Sequence, residues 1–173
     1  MRRRHSPDQR RAGQAMMEYI LVYVSLLLPL TMALIFTAEL LWVWHSVLDF
    51  TREGARYAAT HCWQPAGDNV VNFMRSNVPL MVDQEQFRAG LAEISVQYFA
   101  IDPETGSLAE FSCEGSSCSR ECVPETVTVR ILNYEFRAFL GYLGLPPVAI
   151  PNFQTSLPIE SAGCSADDAG CVE

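Results

Sequence analysis

Tyr19 to Ala38 reads YILVYVSLLLPLTMALIFTA, twenty consecutive residues without a charge between Glu18 and Glu39. About twenty helical residues at ~1.5 Å each span the hydrocarbon core of a bilayer, so the stretch has the length of a membrane helix. A cleavable secretory signal has a shorter apolar core followed by a small-x-small site, whereas this core runs into Glu39-Leu40-Leu41-Trp42-Val43-Trp44. A buried helix of a soluble protein fits poorly with so long an uncharged run set directly after a basic leader. Tyr19 and Tyr23 at one end and Trp42 and Trp44 at the other stand where amphipathic rings mark the two membrane interfaces. Pro29, in the middle, removes one backbone hydrogen bond and predicts a kink between Ser25 and Pro29.

Charge decides orientation. All twelve basic residues are arginines, and Arg2, Arg3, Arg4, Arg10 and Arg11 fall within the first thirteen positions. Setting those five and Asp8 aside leaves seven arginines against nineteen acids from Gln14 onward, a net charge of −12. The basic leader predicts residues 1–13 in the cytoplasm and the remainder outside, and the acidic remainder argues against nucleic acid as a partner. The six cysteines, Cys62, Cys113, Cys118, Cys122, Cys164 and Cys171, all follow the apolar run, as suits disulfides in an oxidising compartment.

The helical pattern continues past the membrane. Phe36, Leu40, Val43, Val47, Phe50, Gly54 and Tyr57 alternate steps of four and three, a seam suited to another helix. His45, Asp49, Arg52 and Arg56 form a polar stripe opposite, with Asp49–Arg52 and Glu53–Arg56 spaced to pair. Helical from Met16 to Thr60, the segment would form a rod of roughly 67 Å.

Beyond Ala59 the pattern breaks at His61-Cys62-Trp63-Gln64-Pro65. Two amphipathic helices are expected, at Asp68 to Asn77 and at Asp83 to Glu93, the second opened by an N-cap aspartate with Phe87, Leu91 and Ile94 as its apolar face. Strands are expected at Ile94 to Asp102, Glu125 to Phe136 and Phe153 to Ile159, with a turn at Pro103 to Gly106. Together these predict an α+β protein: a long N-terminal transmembrane and stalk helix, then a small extracytoplasmic domain of short helices packed on an antiparallel sheet. The expected division is a cytoplasmic leader at 1–13, the helix at 14–60 and a disulfide-containing head with a flexible tail at 61–173.

Cys113, Cys118 and Cys122 share one loop, where at least one local bridge is expected. Cys164 and Cys171 are candidates to pair across the tail, and Cys62 to join the cluster, among 15 possible connectivities. A metal site is the weaker reading, because CxxC spacing is absent and no histidine lies beyond His61. The histidines, His5, His45 and His61, sit in no nucleophile context, and neither a nucleophile elbow nor a phosphate loop occurs. No cofactor and no catalytic residue are expected. Asp167-Asp168 read as a solvated tail.

At the join of leader and helix the sequence is RRAGQAMMEY, with Gly13 before Gln14 and Glu18 fifth counting from Gln14. A basic leader ending in glycine, a glutamate at this spacing and an apolar helix resemble the prepilin signature. Glu18-Tyr19 is similar to the Glu-Tyr or Glu-Phe pair of Flp-type pilins. TREGARYAA at Thr51 to Ala59, and LPLTMAL around Pro29, resemble TadE-like proteins of Tad, or type IVc, pilus systems, a likeness that covers about residues 10–60 well. It implies cleavage between Gly13 and Gln14 by a prepilin peptidase, methylation of the new N-terminus, an inner-membrane location, and assembly with other pilin subunits and platform proteins in an adhesive pilus. Gln14 departs from the hydrophobic residue common at that place in type IV pilins. Physically, a carboxylate among apolar helices needs a cation. The α-amino group of Gln14 on an adjacent cleaved subunit is a candidate partner for Glu18, whereas on an uncleaved chain Glu18 snorkels to the headgroups. The competing readings are an uncleaved membrane-anchored accessory module and a type II secretion pseudopilin.

Overall fold

A computed structural model describes residues 7–113, 118–137, 140, 141, 144, 146–159, 163, 164 and 171, with side chains from residue 13 onward. The chain divides into two compact units, residues 1–41 and 42–173, with the boundary inside a helix.

The first unit is helical. α1 runs Pro7–Val22, a π turn covers Tyr23–Leu27, and α2 begins at Leu28 and extends to Thr60. Where a kink is expected, the helix carries this π turn. Pro29 has no N–H, and its ring collides with the carbonyl four residues back, that of Ser25, so the ladder loosens by one residue just before it. The Leu28 N–H accordingly donates to the Tyr23 carbonyl. The Ser25 hydroxyl donates to the Leu21 carbonyl at 2.5 Å, a back-bond that further favours irregularity.

The second unit takes in Trp42–Thr60 of α2 as well as the expected head. α3 (Asp68–Ser76) and α4 (Gln84–Arg88) precede six strands: β1 (Glu93–Ile101), β2 (Leu108–Glu110), β3 (Thr126–Leu132), β4 (Glu135–Phe136), β5 (Val148–Ala149) and β6 (Phe153–Pro158). Four make an antiparallel sheet in the order β2-β1-β3-β6, and β4 pairs with β5. The fold is α+β, a long apolar N-terminal helix followed by a small domain of short helices and antiparallel sheet.

Registers put Ile94, Val96 and Tyr98 opposite Ile131, Val129 and Val127, and these in turn opposite Phe153, Thr155 and Leu157. On this face Phe153 and Thr155 of β6 meet Trp44 and Thr51 of α2, whose buried side is formed by Val47, Phe50, Thr51, Gly54, Ala55 and Ala58. The other face carries Gln97, Arg130, Gln154 and Ser156, the period-two signature of a half-solvated sheet.

Several elements differ from expectation. α4 stops at Arg88, and Gly90, at φ +71°, turns the chain, so Leu91 is exposed and Ile94 belongs to β1. β3 ends at Leu132 because Asn133 takes φ +57°, a left-handed bend that asparagine tolerates and that sends Glu135–Phe136 to pair with β5. The Asp102–Ser107 turn leads into β2, a strand not expected, and Asp102 accepts from the Glu104 N–H and the Thr105 hydroxyl, which lowers its carboxyl pKa. Glu53 and Arg56 are exposed and do not pair, whereas Asp49 and Arg52 meet at 2.9 Å.

Tyr98 is buried, and its hydroxyl has no hydrogen-bond partner. Burial disfavours the phenolate and pushes its pKa up from 10.0 to about 12. The unfolded chain therefore releases this proton first, so the stability it confers is complete below the unfolded value and drains away as pH rises from 10.0 to about 12. Tyr98→Phe is expected to flatten that alkaline loss. It should also stabilise the neutral protein by up to about 1 kcal/mol, since it deletes an unsatisfied buried hydroxyl. Urea unfolding of both proteins at neutral and alkaline pH checks this.

Candidate functional site

The residues singled out by the sequence fall into three groups. Gly13, Gln14, Glu18 and Tyr19 lie on consecutive turns of α1, all exposed. Gly13 has no side chain or backbone within 4 Å of where a Cβ would sit. The Gln14 amide donates to the Glu18 carboxylate across one turn at 3.5 Å, the outer limit for such a bond. Tyr19 stacks on Tyr23 one turn later, with ring centroids 6.3 Å apart. The helix begins at Pro7, ahead of Gly13, so the Gly13–Gln14 peptide lies within continuous helix. Arg2, Arg3, Arg4 and His5 lie outside the described residues.

The apolar run is chemically self-contained. Its three aliphatic hydroxyls each return to the helix backbone: Ser25 to the Leu21 carbonyl, Thr31 to Leu28 at 2.9 Å and Thr37 to Ala33 at 2.8 Å. No such donor is left to seek water, which is the condition a helix surface must meet in hydrocarbon. The Gly13–Thr60 helix reaches a mean hydropathy of 2.3 in its most apolar window, none of which is buried. Leu21, Leu26 and Leu34 are each about two-thirds exposed, part of a continuous apolar surface far larger than soluble monomers show.

The seam divides. Phe36 and Leu40 belong to the first unit and Val43 is partly exposed, whereas Val47, Phe50 and Gly54 are buried and Tyr57 nearly so, under elements of the same chain. Phe50 meets Phe87 of α4 edge-on at 6.0 Å, and Tyr57 stacks on Phe73 of α3 at 4.0 Å. Gly54 is needed because a Cβ there would overlap the Met74 thioether of α3. Trp44 meets Phe153 of β6 edge-on at 4.9 Å. Thr51 gives its proton to the Leu48 carbonyl, so the Thr155 hydroxyl is the donor in the 3.1 Å bond between the two threonines. What covers this half of the seam is thus intramolecular.

The six cysteines form three bridges. Cys62–Cys118 ties the end of α2 to the loop after β2, Cys113–Cys122 closes that loop on itself, and Cys164–Cys171 closes the tail. Every sulfur is used, so the loop cysteines offer no thiolate to a metal. Asp167-Asp168 lie outside the described residues.

Sequence reasoning missed Gln86. It is buried, and its amide donates to the Glu135 carbonyl at 2.8 Å while its side-chain oxygen accepts from the Glu135 N–H at 2.9 Å. The side chain stands in for a neighbouring strand and locks α4 to β4. No local pattern marks such a residue, because its partner lies 49 positions away.

The chain is thus one long N-terminal helix with the length, composition and surface of a membrane anchor, followed by a disulfide-bonded domain consistent with an extracytoplasmic location. Compared with protein-family models, with curated proteins and with solved structures, it finds no match.

Proposed function

We propose that this chain is a pilin-like membrane subunit, similar to TadE-like proteins, that contributes to assembly of a Tad-type pilus with its head outside the cytoplasm. In this reading it works by packing, not by turnover. One observation carries it: Glu18 borders the uncharged run of the long helix, exposed, with the weak Gln14 bond as the hydrogen bond its carboxylate makes among the described residues. A carboxylate entering a helix bundle needs a cation, and a new α-amino group at Gln14 of a neighbouring subunit supplies one when helices stagger. Pilin subunits, platform proteins, a prepilin peptidase and lipid are the partners this reading requires.

Intact mass and N-terminal sequencing of membrane material test it. In cells with an active prepilin peptidase the mature chain is expected to begin at Gln14, and a chain still starting at Met1 defeats the proposal. Gly13→Ala is expected to leave the leader attached. Glu18→Ala should be cleaved yet absent from filaments, with three bridges still formed in the head.

A second reading has its own support. α1 passes through Gly13 and Gln14 without a break, and a peptidase must unwind a turn of helix to reach that bond. Retention of the leader would make the protein an uncleaved, membrane-anchored accessory or binding module of a secretion system, in which Gln14 simply steadies a snorkelling Glu18.

A further inference from the structure

Asn77 to Val82, NVPLMV, contains no charge and lies between α3 and α4. Its outer valines are anchors: Val78 and Val82 are buried, and the Val82 N–H donates to the Pro79 carbonyl at 2.9 Å to close a turn. That turn holds Leu80 and Met81 at its apex, 96% and 55% exposed. The base is rigid, because the next N–H, that of Asp83, donates to the Tyr134 hydroxyl at 2.9 Å. The Asp83 carboxylate points back into α4, accepting from the Glu85 N–H and the Gln86 amide, each at 3.0 Å. The turn is therefore an apolar point on a fixed mount, with its nearest acid turned away.

Its place in the head matters. Leu80 and Met81 stand at the edge of a shallow cleft whose apolar lining includes Val43 of α2 and Phe136 of β4 and whose polar side is formed by Asp83, Gln86, Glu135 and Arg137, with Glu135 and Arg137 paired to each other at 2.8 Å. Val43 lies in sequence between Trp42, 64% exposed, and Trp44, which in the anchor reading mark the outer membrane interface. Val148, 41% exposed, pairs with buried Phe136 and adds an exposed apolar side chain on this side of the head. Trp44 packs on Phe153, which is level with Ile131 and Ile94, so this side borders one end of the sheet. Leu108, opposite Ile101, lies at the other end, about 23 Å further along at roughly 3.3 Å per residue.

We infer that the Val78–Val82 turn inserts Leu80 and Met81 into the interfacial layer of the bilayer that holds the chain's own helix, so that the head has a second membrane contact beside Trp42. This rests on the anchor reading but not on the pilus reading. Lipid is the occupant because the point is convex, stands beside a cleft that Val43, the residue between Trp42 and Trp44 in sequence, also lines, and is small beside the ~800 Å² per partner that a specific protein interface buries. The interfacial layer accepts apolar side chains flanked by polar backbone and aromatic rings.

The full-length chain reconstituted in phosphatidylcholine–phosphatidylglycerol vesicles tests this. With every native sulfur in a bridge, one added thiol takes a bimane label, and a count of one reactive thiol verifies that each variant has folded with its bridges intact. Leu80→Cys is expected to lose fluorescence to lipids carrying a doxyl quencher, most strongly at shallow acyl positions. Leu34→Cys should be quenched by deep doxyl groups, and Leu108→Cys should be unaffected by either. A Leu80 label as insensitive as that at Leu108, with Leu34 quenched, overturns the inference and leaves the anchor standing. A Leu80 label shielded from water but untouched by doxyl lipid also overturns it, in favour of a protein partner. An unquenched Leu34 label removes the anchor reading and the inference together.

Discussion

Replacing Cys62 and Cys118 together by serine is expected to lower the unfolding free energy of the head by about 4 kcal/mol, a large share of the roughly 5–15 kcal/mol that a domain possesses. The bridge spans 56 positions, and in the chain-entropy account the denatured state gains more freedom the longer the loop that is released. The same relation gives only about 2.5 kcal/mol for Cys113–Cys122, whose separation is 9. The ranking follows from topology as well. Cys62 lies two residues past the end of α2, Trp63 packs edge-on against Phe111 just after β2, and the Cys118 N–H donates to the Trp63 carbonyl at 3.2 Å. Losing the long bridge frees that end of the sheet from the helix, whereas losing the short one frees only a loop. Urea unfolding of the detergent-solubilised chain under non-reducing conditions, followed by near-ultraviolet circular dichroism, measures both. Equal losses for the two double variants, or a larger loss for Cys113 and Cys122, would contradict this ranking.

The long apolar helix was legible because twenty uncharged residues in a row, set after a basic leader, have the length and composition of a membrane anchor and admit few other readings. The principal strands were legible where one face is buried and the other wet, since Ile94, Val96 and Tyr98 alternate with polar residues as a half-solvated sheet requires. Legibility fails where structure depends on distant partners. β2, β4 and β5 are two or three residues long and carry no pattern of their own. The bend at Asn133 matters only because Val148 and Ala149 lie where the redirected chain can pair. Bridge connectivity is a property of the fold, not of cysteine spacing. The segment around Gly13 is the reverse case: Gly13, Gln14 and Glu18 are conspicuous in sequence and lie on an ordinary exposed helix, and under the proposed function their chemistry would involve a peptidase and neighbouring chains.

The seam shows how one signal serves two architectures, and Phe50→Ala separates them. Steps of three and four announce an apolar stripe but are silent on what covers it, since an adjacent helix and the chain's own head impose the same period. Were the outer half of the stripe reserved for another subunit, truncating Phe50 would leave the isolated chain's stability nearly unchanged and weaken only assembly. The geometry gives the opposite expectation. Phe50 is 2% exposed and edge-on to Phe87, which itself packs near Tyr134, with centroids 6.0 Å apart in each case. Gly54 brings α3 too close for the backbone simply to collapse into the gap, because Met74 already fills the next turn. Truncation is therefore expected to cost about 3–5 kcal/mol, the range for a buried phenylalanine reduced to alanine. Urea unfolding in detergent at protein concentrations low enough to exclude self-association would register the loss directly. The buried side of α2 from Val47 to Ala58 is then a wall of the head's own core, not a surface kept for another subunit.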